Sequence, residues 1–192
     1  MVSAKHKLIF EGAELSGKSF VMSQVYNFLE PKYNSGGRIL DGCHWFNCDV
    51  GLFGTAFGQA TLNKYVEIFE ELSGLNLLIE KFHISEAVYQ QIYNNQAFDF
   101  SIIEKRLASL GAKIILTTFA EDEELIKKRL QDRINLYPHY QRVAQEPRAY
   151  LHQQTVFLDL LKKSSLPVLL LDSSVLPNPK IIGEILHFIG EQ

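Results

Sequence analysis

Residues Gly12-Ala13-Glu14-Leu15-Ser16-Gly17-Lys18-Ser19 fit the pattern G-x-x-x-x-G-K-[ST] at every required position. The two glycines allow a tight backbone turn whose N–H groups point inward, so the loop reads as a cradle for a polyphosphate. Lys18 adds a mobile positive charge, and the Ser19 hydroxyl is placed to reach a magnesium ion. Residues 7–10 before the loop form a short apolar run of strand type. After it, Val21, Met22, Val25, Phe28 and Leu29 recur at helical spacing, and Pro31 is expected to end the helix. A helix starting at the loop would turn its partly positive end toward the anion. Strand, loop and helix in this order make nucleotide binding the expected function of the segment.

The remainder of the chain must build a fold around that unit. Its 192 residues, 46% of them hydrophobic, suffice for one large core and are too few to favour two full domains. A formal charge of −3 and a pI near 6.1 exert no broad pull toward nucleic acid or an anionic membrane. The apolar run at Leu8, Ile9 and Phe10 is too short for a signal segment or a membrane span, so a soluble intracellular protein is expected. Cys43 and Cys48 are too few for a disulfide framework. With His44 they lack a fourth metal ligand, which favours buried free thiols.

Four further strands follow from the pattern. Residues 38–41 read as the second strand, 75–79 as the third, 112–118 as the fourth and 166–172 as the fifth. Helices are predicted over residues 61–72, 83–93, 99–110, within the charged segment from Glu121 to Arg133, over 148–162, and from Pro179 onward with Asn178 as its cap. Alternating strands and helices predict an α/β three-layer sandwich: a mainly five-stranded parallel sheet with helices on both faces. Between residues 42 and 58, glycines alternate with Trp45, Phe46, Phe53 and Phe57 without periodicity. That segment suits either a loop that stacks on a base or a hydrophobic cover on the core.

Several polar residues stand where chemistry would need them. Glu80 closes an apolar strand downstream of the phosphate loop, the place for a carboxylate that holds magnesium or one of its waters. Lys81 follows, either facing a phosphoryl group in transfer or solvated at a strand end. Ser85, Tyr89 and Gln90 lie near the same strand end and could line a base pocket. Arg129 and Arg133 share a helix face, where they either complement the helix dipole or bring cations to a transferring phosphoryl group. Residues 135–147, with Tyr137, Pro138, His139, Tyr140 and Arg142, have the character of a mobile lid. Arg142 and Arg148 read equally as lid cations and as solvated surface.

Two stretches resemble the thymidylate kinase-like group of P-loop nucleotide kinases. Ile9 to Ser19 is similar to that family's opening strand and phosphate loop, with Glu14 at a place where the family carries Asp or Glu. Residues 80–90, Glu-Lys-Phe-His-Ile-Ser-Glu-Ala-Val-Tyr-Gln, stand beside a family pattern of Asp-Arg, an aromatic or His, two variable residues, Ser, then Ala-Tyr and often Gln. The resemblance implies a P-loop kinase fold with ATP as phosphoryl donor, Mg2+ as cofactor and small-molecule nucleotides as partners, in the cytoplasm, with a homodimer compatible with it.

By residue, the resemblance implies that Gly12 to Ser19 hold the ATP phosphates and that Ser19 and Glu80 hold magnesium. Lys18, Glu80, Lys81, Arg129 and Arg133 would then be catalytic. Glu14 would contact the acceptor sugar, Ser85, Tyr89 and Gln90 the acceptor base, and Asp172, Ser173 and Ser174 would form the adenine-side loop. Where the family has Asp-Arg this chain has Glu80-Lys81, exchanging a bidentate fork for a point charge. Where the family's second strand leads into Arg-Glu-Pro-Gly, this chain has Leu40-Asp41-Gly42-Cys43-His44-Trp45, and Arg38 is the nearest cation. The expected reaction is transfer to a deoxynucleoside monophosphate, thymidylate or another pyrimidine one. The Glu-Lys pair also resembles the Glu-Arg-Ser motif of deoxynucleoside kinases, which keeps a nucleoside acceptor open, and a nucleotide-dependent switch or a non-catalytic kinase-like protein is a third reading.

Overall fold

The structure, a computed structural model, describes residues 5–191. The strands are β1 (Lys7–Glu11), β2 (His44–Asn47), β3 (Leu77–Glu80), β4 (Lys113–Thr118) and β5 (Val168–Asp172). All pair in parallel, in the order β2-β3-β1-β4-β5. The α-helices among the described residues are α1 (Lys18–Tyr33), α2 (Gly58–Glu71), α3 (His83–Asn94), α4 (Ser101–Ser109), α5 (Glu123–Leu136), α6 (Pro147–Leu161) and α7 (Pro179–Ile189). This is the expected α/β sandwich.

Alternation along the strands divides the core into two layers. Leu8, Phe10, Leu78, Ile115 and Leu171 pack with α1 and α7 on one face. Ile9, Leu77, Ile79, Ile114 and Leu116 pack with residues of α2 through α6 on the other. The central strands are buried on both faces, which is why they read as continuous apolar runs. With β1 at the centre, the loop after it opens between the ends of β3 and β4. Ligands of open parallel sheets bind at such a carboxyl edge.

Two local expectations fail. Pro31 does not end α1, which continues to Tyr33. A proline in the last turn forfeits only a terminal bond, and the helix end is tied down from outside. Gly42 passes so close to it that a Cβ there would lie 2.0 Å from the Glu30 carbonyl oxygen and 2.6 Å from the Asn34 nitrogen. Residues 38–41 are not a strand either. Asn34 Nδ2 donates to the Ile39 carbonyl at 2.7 Å and the Ser35 N–H to Asp41 Oδ1 at 2.9 Å, closing a surface loop in which Ile39 and Leu40 are 71% and 68% exposed. The second strand is instead His44–Asn47, inside the segment that showed no periodicity. It is an edge strand of half-buried and exposed residues, so no apolar run marks it. Cys43 and Cys48 flank it as buried free thiols, and burial pushes the Cys43 thiol up to about 12.

Candidate functional site

The phosphate loop is held from four directions. Ser16 Oγ lies 2.7 Å from Thr117 Oγ1 of β4. Ser173 Oγ, after β5, donates to the Ser16 carbonyl at 2.6 Å. Gln153 of α6 accepts the Glu14 N–H at 2.8 Å, and Arg129 of α5 donates to the Leu15 carbonyl at 2.9 Å. Gly12 has φ +140, and a Cβ there would lie 2.4 Å from the Thr117 carbonyl oxygen, so only glycine fits. Gly17, the N-cap of α1, is left-handed and supplies no side-chain cap. The first N–H groups of α1 are left to the cleft, as an anion-binding helix start requires.

Lys18 folds over the loop it belongs to, donating to the Gly12 and Ala13 carbonyls at 2.6 and 2.9 Å. Burial, then the neighbouring Lys81 ammonium, lowers its pKa to about 8. At the foot of the loop Ser19 Oγ donates to Glu80 Oε1 at 2.5 Å, and Trp45 Nε1 donates to Glu80 Oε2 at 3.2 Å. A hydroxyl and a carboxylate side by side are hard oxygen donors of the kind magnesium takes from a protein when phosphates and waters complete its shell. Among the described residues no group of three or more His, Cys, Asp or Glu side chains is placed to hold a metal ion.

A cleft of about 770 Å³ runs from this point. The whole stretch Glu14 to Phe20 borders it, with Asn47, Glu80 and Lys81 from the strand ends, one face of α5 including Lys128, Arg129, Asp132 and Arg133, Tyr140 from the segment after α5, and Ser174, Leu176 and Pro177 after β5. Lys81 has φ +54 and donates to Asp49 Oδ2 at 2.8 Å, with the Tyr89 hydroxyl 3.4 Å away. Burial opposes its charge, but Tyr89 and Asp49 outweigh burial and hold its pKa above the usual lysine range.

The unusual backbone at Lys81 has an identifiable anchor. Glu11, fully buried at the end of β1, accepts from the backbone N–H groups of Phe82, Ile84 and Ser85 at 3.0, 3.1 and 3.2 Å and from the Ser85 hydroxyl. It is a carboxylate set into the N-terminus of α3, and it fixes the turn that presents Glu80 and Lys81. Nothing in the sequence marks Glu11 beyond an acid ending an apolar strand, the same signal that picked out Glu80.

Other expected site residues are placed differently. Ser85 is spent on Glu11 and does not border the cleft. Gln90 binds Glu86 at 2.8 Å and the Thr55 carbonyl at 3.3 Å, bracing the 49–57 loop. Tyr89 is buried, and its hydroxyl lies 3.4 Å from the Lys81 ammonium. Arg38 sits beside Glu30, Pro31 and Asn34 at the far end of α1 from the phosphate loop and does not border the cleft. Asp172 accepts from its own loop at Ser174, and Ser173 is fully buried, leaving Ser174 of that trio at the cleft.

The two arginines of α5 also part company. Arg129 spends its guanidinium on the carbonyls of Leu15, Ser173 and Ser174, tying the phosphate loop to the loop after β5. Arg133 remains on the cleft, with its guanidinium carbon 4.7 Å from the Tyr137 ring and 5.4 Å from the Tyr140 ring. These rings belong to the expected lid, which contains a short 3-10 helix at Pro138–Arg142. Tyr140 donates from its hydroxyl to Glu14 Oε2. Asp49 and Glu11 belong to this neighbourhood without having been assigned to it by sequence patterns, as do Asn47, Lys128 and Asp132 on the cleft wall.

No protein-family model and no curated protein sequence matches the chain. Solved structures do. YorR of Bacillus subtilis, in complex with phosphorylated GDP, is similar at a TM-score of 0.65 with 19% identity over 95% of each chain. Thymidylate kinase from Ehrlichia chaffeensis aligns at 0.59 with 12% identity over 97% of this chain and 99% of its own. Thymidylate kinase from Candida albicans aligns at 0.52 with 15% identity over 97% and 92%. The chain has the fold of thymidylate kinases and related P-loop kinases.

Proposed function

We propose that the protein is an ATP- and magnesium-dependent nucleotide kinase whose acceptor is a deoxynucleoside monophosphate, thymidylate or another pyrimidine nucleotide. The observation that carries this reading is the pairing of Ser19 with Glu80 at the foot of a braced phosphate loop, with Lys81 and Arg133 on the same cleft. The loop N–H groups and Lys18 take the β- and γ-phosphates. Ser19 and Glu80 hold the magnesium, which when bound neutralises phosphate charge. Lys81 and Arg133 face the phosphoryl group in transit, while Arg129 keeps the loop in shape. Catalysis of this kind rests on positioning and charge rather than on covalent chemistry. The fold shared with thymidylate kinases and with a YorR structure holding phosphorylated GDP supports a nucleotide at this cleft.

A second reading, a deoxynucleoside as acceptor, is favoured by one observation. The residues after β2 that approach Lys81 bring Asp49 and no arginine, so the acceptor end offers an acid where a monophosphate would be gripped by a cation. One experiment separates the readings: purified protein with ATP and magnesium against a panel of nucleosides and nucleoside monophosphates, followed by chromatography of products, with Lys18→Ala alongside. Diphosphate formed from a pyrimidine monophosphate, and lost in Lys18→Ala, is expected. Product from nucleosides alone moves the assignment to the second reading, and ATP consumption indifferent to every acceptor removes both.

A further inference from the structure

Glu14 is a phosphate-loop residue whose side chain is held by the turn on the opposite side of the cleft. Its backbone N–H is taken by Gln153, and its Oε2 receives the Tyr140 hydroxyl from across the cleft. Oε1 makes no hydrogen bond among the described residues. A carboxylate fixed at its main chain and at one oxygen presents the other in a defined direction, whereas an acid on a loop would otherwise sample several rotamers. The donor is itself oriented. Tyr140 lies in the 3-10 turn, and the Arg133 guanidinium sits over both its ring and that of Tyr137. Burial, and then the bond to Glu14, raises the phenol pKa, so the hydroxyl stays protonated and remains a donor.

We propose that Tyr140 is a positioning residue for acceptor recognition. Through its bond to Oε2 it aims Glu14 Oε1 at a sugar hydroxyl of the acceptor, so that docking of the Pro138–Arg142 turn and recognition of that hydroxyl are one event. Arg133 holds the turn through its contacts with the Tyr137 and Tyr140 rings. The proposal rests on the kinase reading above, and it adds a distant lid residue to a contact that the phosphate loop alone could not orient.

The test compares wild type with Tyr140→Phe, which keeps the ring and removes only the hydroxyl. Two acceptors are used, a deoxynucleoside monophosphate and its 2′,3′-dideoxy counterpart, and KM and kcat are measured for each. With the 3′-hydroxyl present, Tyr140→Phe should raise the acceptor KM by about tenfold, the size of one hydrogen bond to a charged group. With the dideoxy acceptor, KM should change less than about twofold, as should the KM for ATP. An equal rise for both acceptors would mean that the hydroxyl only holds the lid, and no rise for either would mean that Glu14 needs no orientation. Each result overturns the proposal while leaving the kinase reading intact. If wild type transfers to no acceptor, the kinase reading fails and this proposal with it. Thermal melting of the variant within a few degrees of wild type checks that the fold persists.

Discussion

On the proposed reading the cleft has a donor half and an acceptor half, and the two are built in opposite ways. The donor half is almost one continuous segment: the loop, the first turn of α1 and Ser19 come from residues 12–19, and Glu80 is the distant partner that completes it. The acceptor half is collected from several places, with Asp49 after β2, Lys81 after β3, Arg133 on α5 and Tyr140 in the Pro138–Arg142 turn. Local geometry fixes the first. The second exists only when four separate segments converge, so its chemistry can vary without disturbing the loop.

The largest effect is expected where the halves meet. Glu80→Gln keeps the shape and one acceptor oxygen, puts an amide NH2 at the oxygen that now accepts from either Ser19 or Trp45, and removes the charge, and should lower turnover on the order of 10²-fold. It should also raise the magnesium concentration for half-maximal rate. A magnesium dependence identical to wild type would break the assignment of Glu80 to the metal. Next comes Arg129→Ala, which removes the donor to three carbonyls and should destabilise the protein by about 1–3 kcal/mol in denaturant unfolding. It should weaken ATP more than the acceptor. If it instead abolished turnover with unchanged stability, Arg129 would belong to the chemistry and the separation of roles along α5 would collapse.

Ser85→Ala tests the acceptor half from the other side. Glu11 retains three backbone donors, so a loss of about 1–2 kcal/mol in stability and little change in acceptor KM is expected. A selective rise in acceptor KM would return Ser85 to the base pocket. The smallest effect concerns a proton. With a pKa of about 8 in the free protein, Lys18 is half charged at pH 8, and phosphates drawn against it favour the charged form. ATP binding at pH 8 should take up about half a proton, read by calorimetry in buffers of different ionisation enthalpy and absent in Lys18→Met. The same depression means that the cost of burying the charged ammonium is fully present below pH 8 and is relieved as pH rises toward the unfolded value of 10.5.

What could be read in advance follows the same division. The phosphate loop, the parallel sheet and the acid closing β3 were legible because each is written in neighbouring residues: glycines at fixed spacing, apolar runs, a polar residue at a run's end. Strand β2 was misplaced by a few positions because an edge strand buries too little to leave a run. Ser85 and Gln90 looked like pocket residues because they stand near a strand end, and nothing local tells that Glu11 and Glu86 claim them first. The sequence by itself determined that a polyphosphate could be cradled between a central strand and the first helix, since that site is made by adjacent backbone. Only the tertiary structure decided which side chains reach the cleft and which are consumed in holding it, because hydrogen bonds between residues tens of positions apart depend on how the elements pack, and spacing along the chain carries no record of that.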